Sequence, residues 1–272
     1  MSCVPFSSSQ LDRIARESFV AEIDFQPELG STSDHALARL QDESLRLPLL
    51  ILAERQTGGR GRGANRWWSA DGALTFSLVL DPDQLGVTPG QLPQASLLTA
   101  LAVAEAVGEL WPQAPLALKW PNDVYLGGRK LCGILIEMPR PRRLVVGIGI
   151  NVNNSLAAAP AEIASTAATL RDACGAETDR AGLLLRILRQ YERHLRLLAE
   201  GDYGWWLHWH ELCLLRGQRV ELQAGTQRLV GLCQGVNPQG ALLLRTPQGD
   251  QEIFAGTIVR VMPDATSPLG QE

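Results

Sequence analysis

A ten-residue segment, 58–67, is too polar and too rich in glycine to belong to a hydrophobic core. It contains four glycines and three arginines, and it lies shortly after the apolar run 49–53. Glycine allows positive φ angles and lets the backbone approach a ligand closely. The planar guanidinium of arginine offers paired donors that match carboxylate and phosphate oxygens. The sequence therefore predicts a buried strand over 49–54, followed by a mobile loop that clamps an anion and becomes ordered when its ligand arrives.

Two lysines stand out in a chain whose other basic residues are all arginine. Of the 25 Lys and Arg residues, only Lys119 and Lys130 are lysines. An ammonium group is a compact point charge on a flexible stem, and it does not replace a planar guanidinium at a binding site. A turn signal, Pro121-Asn122-Asp123, lies between them. We therefore predict that the segment from Lys119 to Lys130 has a functional role.

Composition excludes several classes of protein. Hydrophobic residues make up 45% of the chain, which predicts a packed core, and the net charge of −4 argues against a general nucleic-acid binder. The five cysteines are odd in number and form no C-x-x-C pair, so we expect free thiols, no zinc site and a cytoplasmic location. The N-terminus lacks the pattern of a secretory signal, and no apolar run is long enough to span a membrane.

Hydrophobic periodicity predicts an α+β main domain over residues 1–215. Strands are expected over 19–25, 49–54, 73–80, 116–120 and 144–151, with a hairpin over 124–138 that turns at Gly127-Gly128. Helices are expected over 92–110 and 183–198, and a flexible loop over 156–168. Trp205 and Trp209 share one helical face and are expected to pack in the interior. The main domain is thus predicted to be a mixed, mostly antiparallel sheet with packed helices.

A change in composition after Arg216-Gly217 marks a second domain. Short apolar stretches alternate there with turn signals such as 237–240 and 247–250. This pattern is typical of short strands joined by tight turns. We predict a small C-terminal β-barrel over 216–272.

The glycine loop does not match the common nucleotide-binding fingerprints. A Rossmann pattern that begins at Gly59 and Gly61 requires glycine at position 64, which is Ala64, and no Gly-Lys-[Ser/Thr] sequence of a Walker A motif follows. The Ser31-Thr32-Ser33 segment is a helix N-cap by default, and such caps also present hydroxyl and N–H groups to ligands. The residues alone therefore indicate an anion-binding loop of unassigned chemistry.

Several of these motifs occur together and in a fixed order along the chain. Because of this ordered combination, the chain resembles the biotin protein ligase family. The resemblance covers roughly residues 18–262. It is carried by Ser31-Thr32, the segment from Gln56 through Gly59-Arg60-Gly61-Arg62 to Trp67, Lys119-Trp120-Pro121-Asn122-Asp123, Arg129-Lys130-Leu131 with Gly133-Ile134-Leu135, and 147–153. The resemblance implies a catalytic domain like that of class II synthetases, with an SH3-like C-terminal barrel.

The resemblance also implies a two-step reaction. Biotin and Mg·ATP would give biotinyl-5′-AMP, and the adenylate would then acylate one lysine of a biotin carboxyl carrier domain of acetyl-CoA carboxylase. The catalytic residues implied are Lys130, Arg60, Arg62 and Asp123. The biotin-binding residues implied are Ser31, Thr32, Ser33, Gln56, Gly59, Arg60, Gly61, Arg62, Trp67, Lys130 and Gly133. The nucleotide-binding residues implied are Arg62, Lys119, Asn122 and Asn151, and no protein metal site is expected.

Two departures from the family pattern concern the site. The residue after Ser-Thr is commonly Asn in the family and is Ser33 here, and Gly63-Ala64-Asn65-Arg66 stands where further basic residues are frequent. Fewer than twenty residues precede the first predicted strand, too few for the helix-turn-helix of the DNA-binding relatives. We therefore expect a short form that does not bind DNA or a membrane, for which a homodimer is compatible with the resemblance.

Three alternatives remain at this stage. A lipoate-type ligase is similar in fold and reaction. A non-enzymatic protein that grips RNA or single-stranded DNA with an Arg/Gly loop is disfavoured by the acidic net charge. A catalytically inactive biotin sensor is disfavoured by Lys130.

Overall fold

The computed structural model describes residues 5–140 and 142–262. The expectations for Cys3 and for the end of the C-terminal domain, 263–272, lie outside these residues. The helices are α1 (Ser8–Glu17), α2 (Thr32–Arg39), α3 (Ala95–Leu110), α4 (Ala161–Thr166), α5 (Leu170–Cys174), α6 (Arg180–Ala199) and α7 (Trp205–Glu211). The strands are β1 (Glu22–Leu29), β2 (Leu49–Gln56), β3 (Leu74–Leu80), β4 (Leu116–Lys119), β5 (Asp123–Leu126), β6 (Arg129–Arg140), β7 (Arg143–Ile150), β8 (Arg219–Ala224), β9 (Gln227–Val236), β10 (Leu242–Thr246), β11 (Gly249–Ile253) and β12 (Thr257–Met262).

The first seven strands form one mixed sheet in the order β1-β2-β3-β7-β6-β5-β4. Only β1 and β2 are parallel, and every other neighbouring pair in this sheet is antiparallel. The predicted α+β class and the mostly antiparallel sheet are confirmed. The hairpin turn at Gly127-Gly128 also forms, and both glycines have positive φ angles, 56° and 76°, which a residue without Cβ adopts at little cost.

The two faces of the main sheet are covered differently. Alternate residues of β3 point to one face, where Phe76 and Leu78 join the large core formed with α3 and α6. On the opposite face, α2 covers one end through a smaller core that contains Ala36 and Ile51. α2 does not cover the rest of that face, and the cavity described below lies there.

Three helices, α1, α4 and the five-residue α5, were not anticipated in the sequence. α1 begins with a capping box, in which the Ser7 side chain accepts from the Gln10 backbone N–H and the Gln10 side chain accepts from the Ser7 N–H. The segment 156–168, expected to be a flexible loop, contains α4, so that expectation is wrong. Its alanines favour a helix, and Pro160 occupies the N-cap position, where its missing N–H is not needed.

The C-terminal strands form a second sheet, fully antiparallel, in the order β11-β10-β9-β8-β12. Its apolar side chains, among them Val220 and Leu242, belong to the same core cluster as those of the main sheet. The fully buried Trp120 donates its indole N–H to the Gly240 carbonyl at 3.2 Å. Trp205 and Trp209 are 4% and 0% exposed, as an interior packing role requires.

No helix in the described ranges 5–140 and 142–262 is both long and apolar enough to cross a membrane. The four cysteines in these ranges, Cys132, Cys174, Cys213 and Cys233, are free thiols.

Helix α3 offers a matched test of the core. Leu101 is fully buried and Leu110, in the same helix, is 42% exposed. We expect Leu101→Ala to lower the free energy of unfolding by about 2–5 kcal/mol, because it leaves a cavity in the core. The control, Leu110→Ala, should change it by about 0.5 kcal/mol or less. Urea unfolding followed by circular dichroism measures both, and equal effects would contradict the assigned orientation of α3.

Candidate functional site

A cavity of about 540 Å³ lies on the face of the main sheet that α2 covers only in part. It is bounded by the start of α2, the loop after β2, the turn before β5, the middle of β6 and β7, and the start of β12. Its lining comprises Ser31, Thr32, Ser33, Gln56, Arg60, Gly61, Arg62, Gly63, Asn65, Arg66, Trp67, Lys119, Trp120, Pro121, Asn122, Asp123, Lys130, Gly133, Ile134, Leu135, Gly147, Ile148, Gly149, Thr257 and Ile258.

A connected set of polar side chains forms the wall at α2. Thr32 donates its backbone N–H and its hydroxyl to Gln56 Oε1, at 2.7 and 3.0 Å. Ser77 donates its hydroxyl to Thr32 Oγ1 at 2.9 Å and lies 3.2 Å from the Ser33 hydroxyl. Ser31 caps α2 by accepting from the Asp34 N–H. All except Asp34 are buried, so the set presents fixed donors and acceptors to the cavity.

The floor of the cavity is backbone without side chains. Gly133 on β6 and Gly149 on β7 are direct partners in the sheet, and Gly147 lies two residues before Gly149 on the same face. A Cβ atom on Gly149 would lie 2.4 Å from Trp67 Cε2, and one on Gly147 would lie 2.4 Å from Ser33 Oγ. The missing side chains are therefore what lets the Trp67 indole and the α2 wall approach the sheet.

The arginine-rich loop folds as a narrow hairpin. Arg60 and Arg66 form an antiparallel bridge, the Gly61 N–H donates to the Asn65 carbonyl, and the Trp67 N–H donates to the Gly59 carbonyl. The loop therefore lies against the sheet with Trp67 as its inner end. Its ordering on arrival of a ligand stays a prediction.

The two arginines of the loop have different partners. Arg60 donates to Asp34 Oδ1 at 2.6 Å and also to Glu137. Both carboxylates raise the pKa of Arg60 above its ordinary value, and Asp34 has the larger effect. Arg62 donates to the Gly256 carbonyl at 2.9 Å and lies 3.4 Å from Asn122 Oδ1. Through Arg62, the loop contacts the C-terminal sheet.

The two lysines of the chain lie together at the cavity. Lys130 Nζ is 2.6 Å from Asp123 Oδ1. Burial lowers the pKa of Lys119; the Asp123 carboxylate opposes this effect and the charge on Lys130 adds to it. Lys119 Nζ also lies 3.5 Å from the hydroxyl of Tyr125, whose pKa burial raises to about 12. Two cations and one carboxylate leave a net positive charge at this end of the cavity.

The structure brings together thirteen of the fifteen residues named from the sequence. The exceptions are Gly59 and Asn151, which do not contribute to the lining given above. Gly59 is buried behind Trp67, and a Cβ atom there would lie 2.6 Å from the Trp67 carbonyl oxygen. Asn151 follows β7, is 3% exposed, and accepts from the Asn154 side-chain amide at 3.1 Å.

Several residues that line the cavity or support its wall had no signal strong enough to be named from the sequence. Ser77 lies in a buried strand, where a single serine gives no indication of function. Gly147 and Gly149 lie in the segment 147–153, which carries part of the resemblance. Their alternation along a strand is the signal that could have identified them. Thr257 and Ile258 belong to the C-terminal sheet, and nothing local indicates that this sheet reaches the cavity.

The donor set suits anions better than metals. Among residues 5–140 and 142–262, no three His, Cys, Asp or Glu side chains converge to hold a metal ion. The cavity instead offers two lysines, three arginines and the N-terminal end of α2. This arrangement is suited to binding carboxylate or phosphate groups and to neutralising charge that develops on them.

The sequence matches two described families. Residues 27–154 match the biotin/lipoate A/B protein ligase family, and residues 216–261 match the biotin protein ligase C-terminal domain. The first range contains most of the cavity, and the second contains the strands that supply Thr257 and Ile258.

Curated relatives agree with these matches. The biotin--[acetyl-CoA-carboxylase] ligase of Mycobacterium tuberculosis is 32% identical, over 88% of this chain and 89% of that protein. The bifunctional ligase/repressor BirA of Bacillus subtilis is 34% identical over 77% of this chain. The match covers 65% of the Bacillus protein, so the chain spans just under two thirds of that relative's length.

Solved structures give the same result. The biotin protein ligase from Aquifex aeolicus in complex with biotin and ATP superposes with a TM-score of 0.77, at 33% identity, over 88% of this chain and 99% of that one. The chain belongs to the biotin protein ligase family, and the resemblance found in the sequence is confirmed.

The contact between Trp67 and Gly149 predicts a specific sensitivity. Gly149→Ala should displace the indole and open the loop, raising trypsin cleavage after Arg60, Arg62 and Arg66 on the order of ten-fold, since tight local overpacking costs about 1–3 kcal/mol. Gly108→Ala in α3 is the control, because a Cβ atom there meets nothing within 4 Å. Peptide mass spectrometry measures the cleavage; equal rates in the two variants would contradict the packing role of Gly149.

Proposed function

We propose that the protein is a biotin protein ligase that activates biotin with ATP to biotinyl-5′-AMP and transfers the biotinyl group to a lysine of a carrier protein. The observation that carries the proposal is the convergence of a hydroxyl and amide wall, a glycine floor, an arginine loop and two lysines on one cavity. These are groups suited to an uncharged polar ring at one end and to carboxylate and phosphate charge at the other.

We assign residues 1–215 to the catalytic domain and 216–272 to the C-terminal domain. The described part of the second domain is anchored to the first by the Trp120 to Gly240 hydrogen bond and by a shared core. It also supplies Thr257 and Ile258 to the cavity. On this assignment the C-terminal domain completes one side of the site.

The buried wall at α2 is assigned to the biotin ring system. Ser31, Thr32, Ser33 and Gln56 provide the hydroxyl and amide groups that recognise a ureido group, which carries both N–H donors and a carbonyl acceptor. Ser77 holds Thr32 and Ser33 in place from behind. The bare backbone of Gly133 on the floor and of Gly61 in the loop lets the ligand approach closely, and Gly59 acts indirectly by allowing Trp67 to pack against it.

The first step brings a carboxylate against a triphosphate, so like charges must be neutralised. We assign this role to Arg60, Arg62 and Lys130, whose cationic groups line the same cavity. Mg²⁺ arrives with ATP and neutralises further phosphate charge when bound. Asp123 is the cavity carboxylate nearest to the lysines, and one carboxylate plus phosphates is a usual environment for Mg²⁺.

The nucleotide is assigned to the end of the cavity near Lys119. Lys119 and Asn122 line it there, and Arg62 lies between Asn122 and the C-terminal sheet. Asn151 stands outside the lining and bonds Asn154 instead. Asn151 therefore acts on the nucleotide only indirectly, from behind the cavity wall.

The second step requires that the mixed anhydride be kept from water until an amine arrives. Trp67 and the loop that ends at it cover the sheet side of the cavity, which suits this role. A lysine amine is protonated at neutral pH, so it must lose a proton before it attacks. Asp123 is placed to orient that amine once Lys130 has turned to the phosphate.

The acceptor is proposed to be the biotin carboxyl carrier domain of acetyl-CoA carboxylase. The proposal is supported by the relatives from Mycobacterium tuberculosis and Paracoccus denitrificans, both of which are biotin--[acetyl-CoA-carboxylase] ligases. A lipoate ligase remains the second candidate, because the family matched by residues 27–154 includes both activities. The match of residues 216–261 to a biotin protein ligase domain favours biotin.

One experiment tests the reaction and the choice of acid. The protein is incubated with Mg·ATP and a carboxylase carrier domain, and with either biotin or lipoate. With biotin, we expect the carrier to gain the mass of one biotinyl group on a single lysine. With lipoate, we expect the mass of the carrier to stay unchanged. A carrier in which that lysine is replaced by Arg is the control. A gain with lipoate alone would overturn the biotin assignment, and no gain with either acid would overturn the proposed function.

Lys130 is predicted to act mainly in the first step. Lys130→Ala should lower biotin-dependent pyrophosphate release on the order of 10²–10³-fold, because it removes a preorganised positive charge from the reacting groups. Biotin affinity, measured by calorimetry without ATP, should fall much less. Arg129→Ala is the control, since Arg129 is adjacent, exposed and outside the cavity. Turnover equal to wild type in Lys130→Ala would refute the role.

A further inference from the structure

One arginine of the loop is held by two carboxylates that no part of the proposed reaction uses. Arg60 donates through Nη1 to Asp34 at 2.6 Å and through Nη2 to Glu137. The two carboxylates come from different elements, α2 and β6. A planar guanidinium can bind two carboxylates at once through separate nitrogens and still keep N–H groups for a third partner.

The two carboxylates lie at the edges of the cavity. Asp34 directly follows Ser31, Thr32 and Ser33, and its side chain is 57% exposed. Glu137 lies two residues beyond Leu135, which lines the cavity, and its side chain is 25% exposed. Arg60 therefore joins α2 to the sheet, and the hairpin that carries it is held against one side of the cavity.

Glu137 depends on Arg60 more strongly than Asp34 does. Its Oε2 atom is buried and, within the described part of the chain, makes no hydrogen bond, so Arg60 is what stabilises this carboxylate. A partly buried carboxylate without a cation is unfavourable, because water solvates it less well than in the open. The loop and Glu137 thus stabilise each other.

We propose that Asp34 and Glu137 are positioning residues: they hold Arg60, and with it the hairpin 59–67, closed over the cavity before any ligand binds. On the proposed function, this pre-closed loop retains the adenylate by keeping its remaining Arg60 donors aimed inward. The claim about closure concerns the protein alone; only the claim about retention rests on the proposed function.

The test uses charge-neutral and charge-retaining variants. Asp34→Asn and Glu137→Gln remove the charges with little change in shape, whereas Asp34→Glu keeps the charge. Glu109→Gln is the matched control, since it breaks a surface ion pair with Arg186 at 3.0 Å away from the cavity lining. Glu137 is partly buried, and Asp34→Asn, at the exposed position, keeps the test valid if Glu137→Gln folds poorly.

The first readout is hydrogen exchange of the loop amides in the protein without added ligands. We expect the amides of Gly61 and Trp67, which are hydrogen-bonded in the hairpin, to exchange about ten-fold faster in the double variant Asp34→Asn/Glu137→Gln. Asp34→Glu and Glu109→Gln should match wild type. Raising the salt from about 0.1 M to 1 M should speed exchange in wild type more than in the double variant.

The second readout is retention of the adenylate. Protein loaded with biotin and Mg·ATP is freed of excess substrate, and release or hydrolysis of biotinyl-5′-AMP is followed by chromatography. We expect loss about three- to ten-fold faster in the double variant, in step with the exchange rates. The loop amides of the variants could exchange faster although the wild-type protein makes no adenylate. That result would support the positioning role and overturn the proposed function.

Two results would overturn the inference. Loop exchange in the double variant equal to that of Glu109→Gln would show that the carboxylates do not hold the loop. Slower loss of the adenylate in the variants than in wild type would show that Asp34 and Glu137 compete with the ligand for Arg60 rather than position it.

Discussion

The packing of the Trp67 indole on the bare backbone of Gly133 and Gly149 connects the loop to the sheet. A side chain at either glycine would contact the indole at 3.3 Å or less. Because two glycines pair across adjacent strands, a flat depression is formed in the middle of an otherwise well-filled sheet. The cavity, the position of the arginines and the approach of the α2 wall through Gly147 all depend on this depression.

The charged groups of the cavity are arranged as pairs that already satisfy one another. Lys130 faces Asp123, and Arg60 faces Asp34 and Glu137. A cation paired with a carboxylate is fixed in position at a smaller net free-energy cost than an isolated buried cation, because their attraction offsets part of the desolvation penalty. Such a site can stay folded with several like charges close together and still offer cationic donors to an anion, which is what preorganised electrostatic stabilisation requires.

The fold was predictable where the pattern was strong and local. The apolar runs of β2, β3 and β7 and the turn at Gly127-Gly128 were found because strand periodicity and turn chemistry are local properties. Three helices were missed: α1 depends on a capping box, and α4 and α5 are only six and five residues long, too short for a helical periodicity to show. Thirteen of the fifteen residues named from motifs line one cavity, and their individual roles stay predictions.

Residues without a motif were harder to find for a physical reason. Ser77, Thr257 and Ile258 reach the site through tertiary packing, and Asp34 and Glu137 through ion pairs between elements distant in sequence. Sequence reasoning detects what a residue type does near its neighbours in the chain. It does not detect which strand of a second sheet will lie against the first.

The hydrogen bond from Trp120 to the Gly240 carbonyl, together with the apolar residues shared between the two sheets, bears on how the protein denatures. Trp120 directly precedes the turn that carries Asn122 and Asp123, so the linkage runs through the site itself. We therefore expect the two domains to unfold as one cooperative unit, so that heat or urea would dismantle the cavity in the same transition that separates the C-terminal strands from the larger sheet.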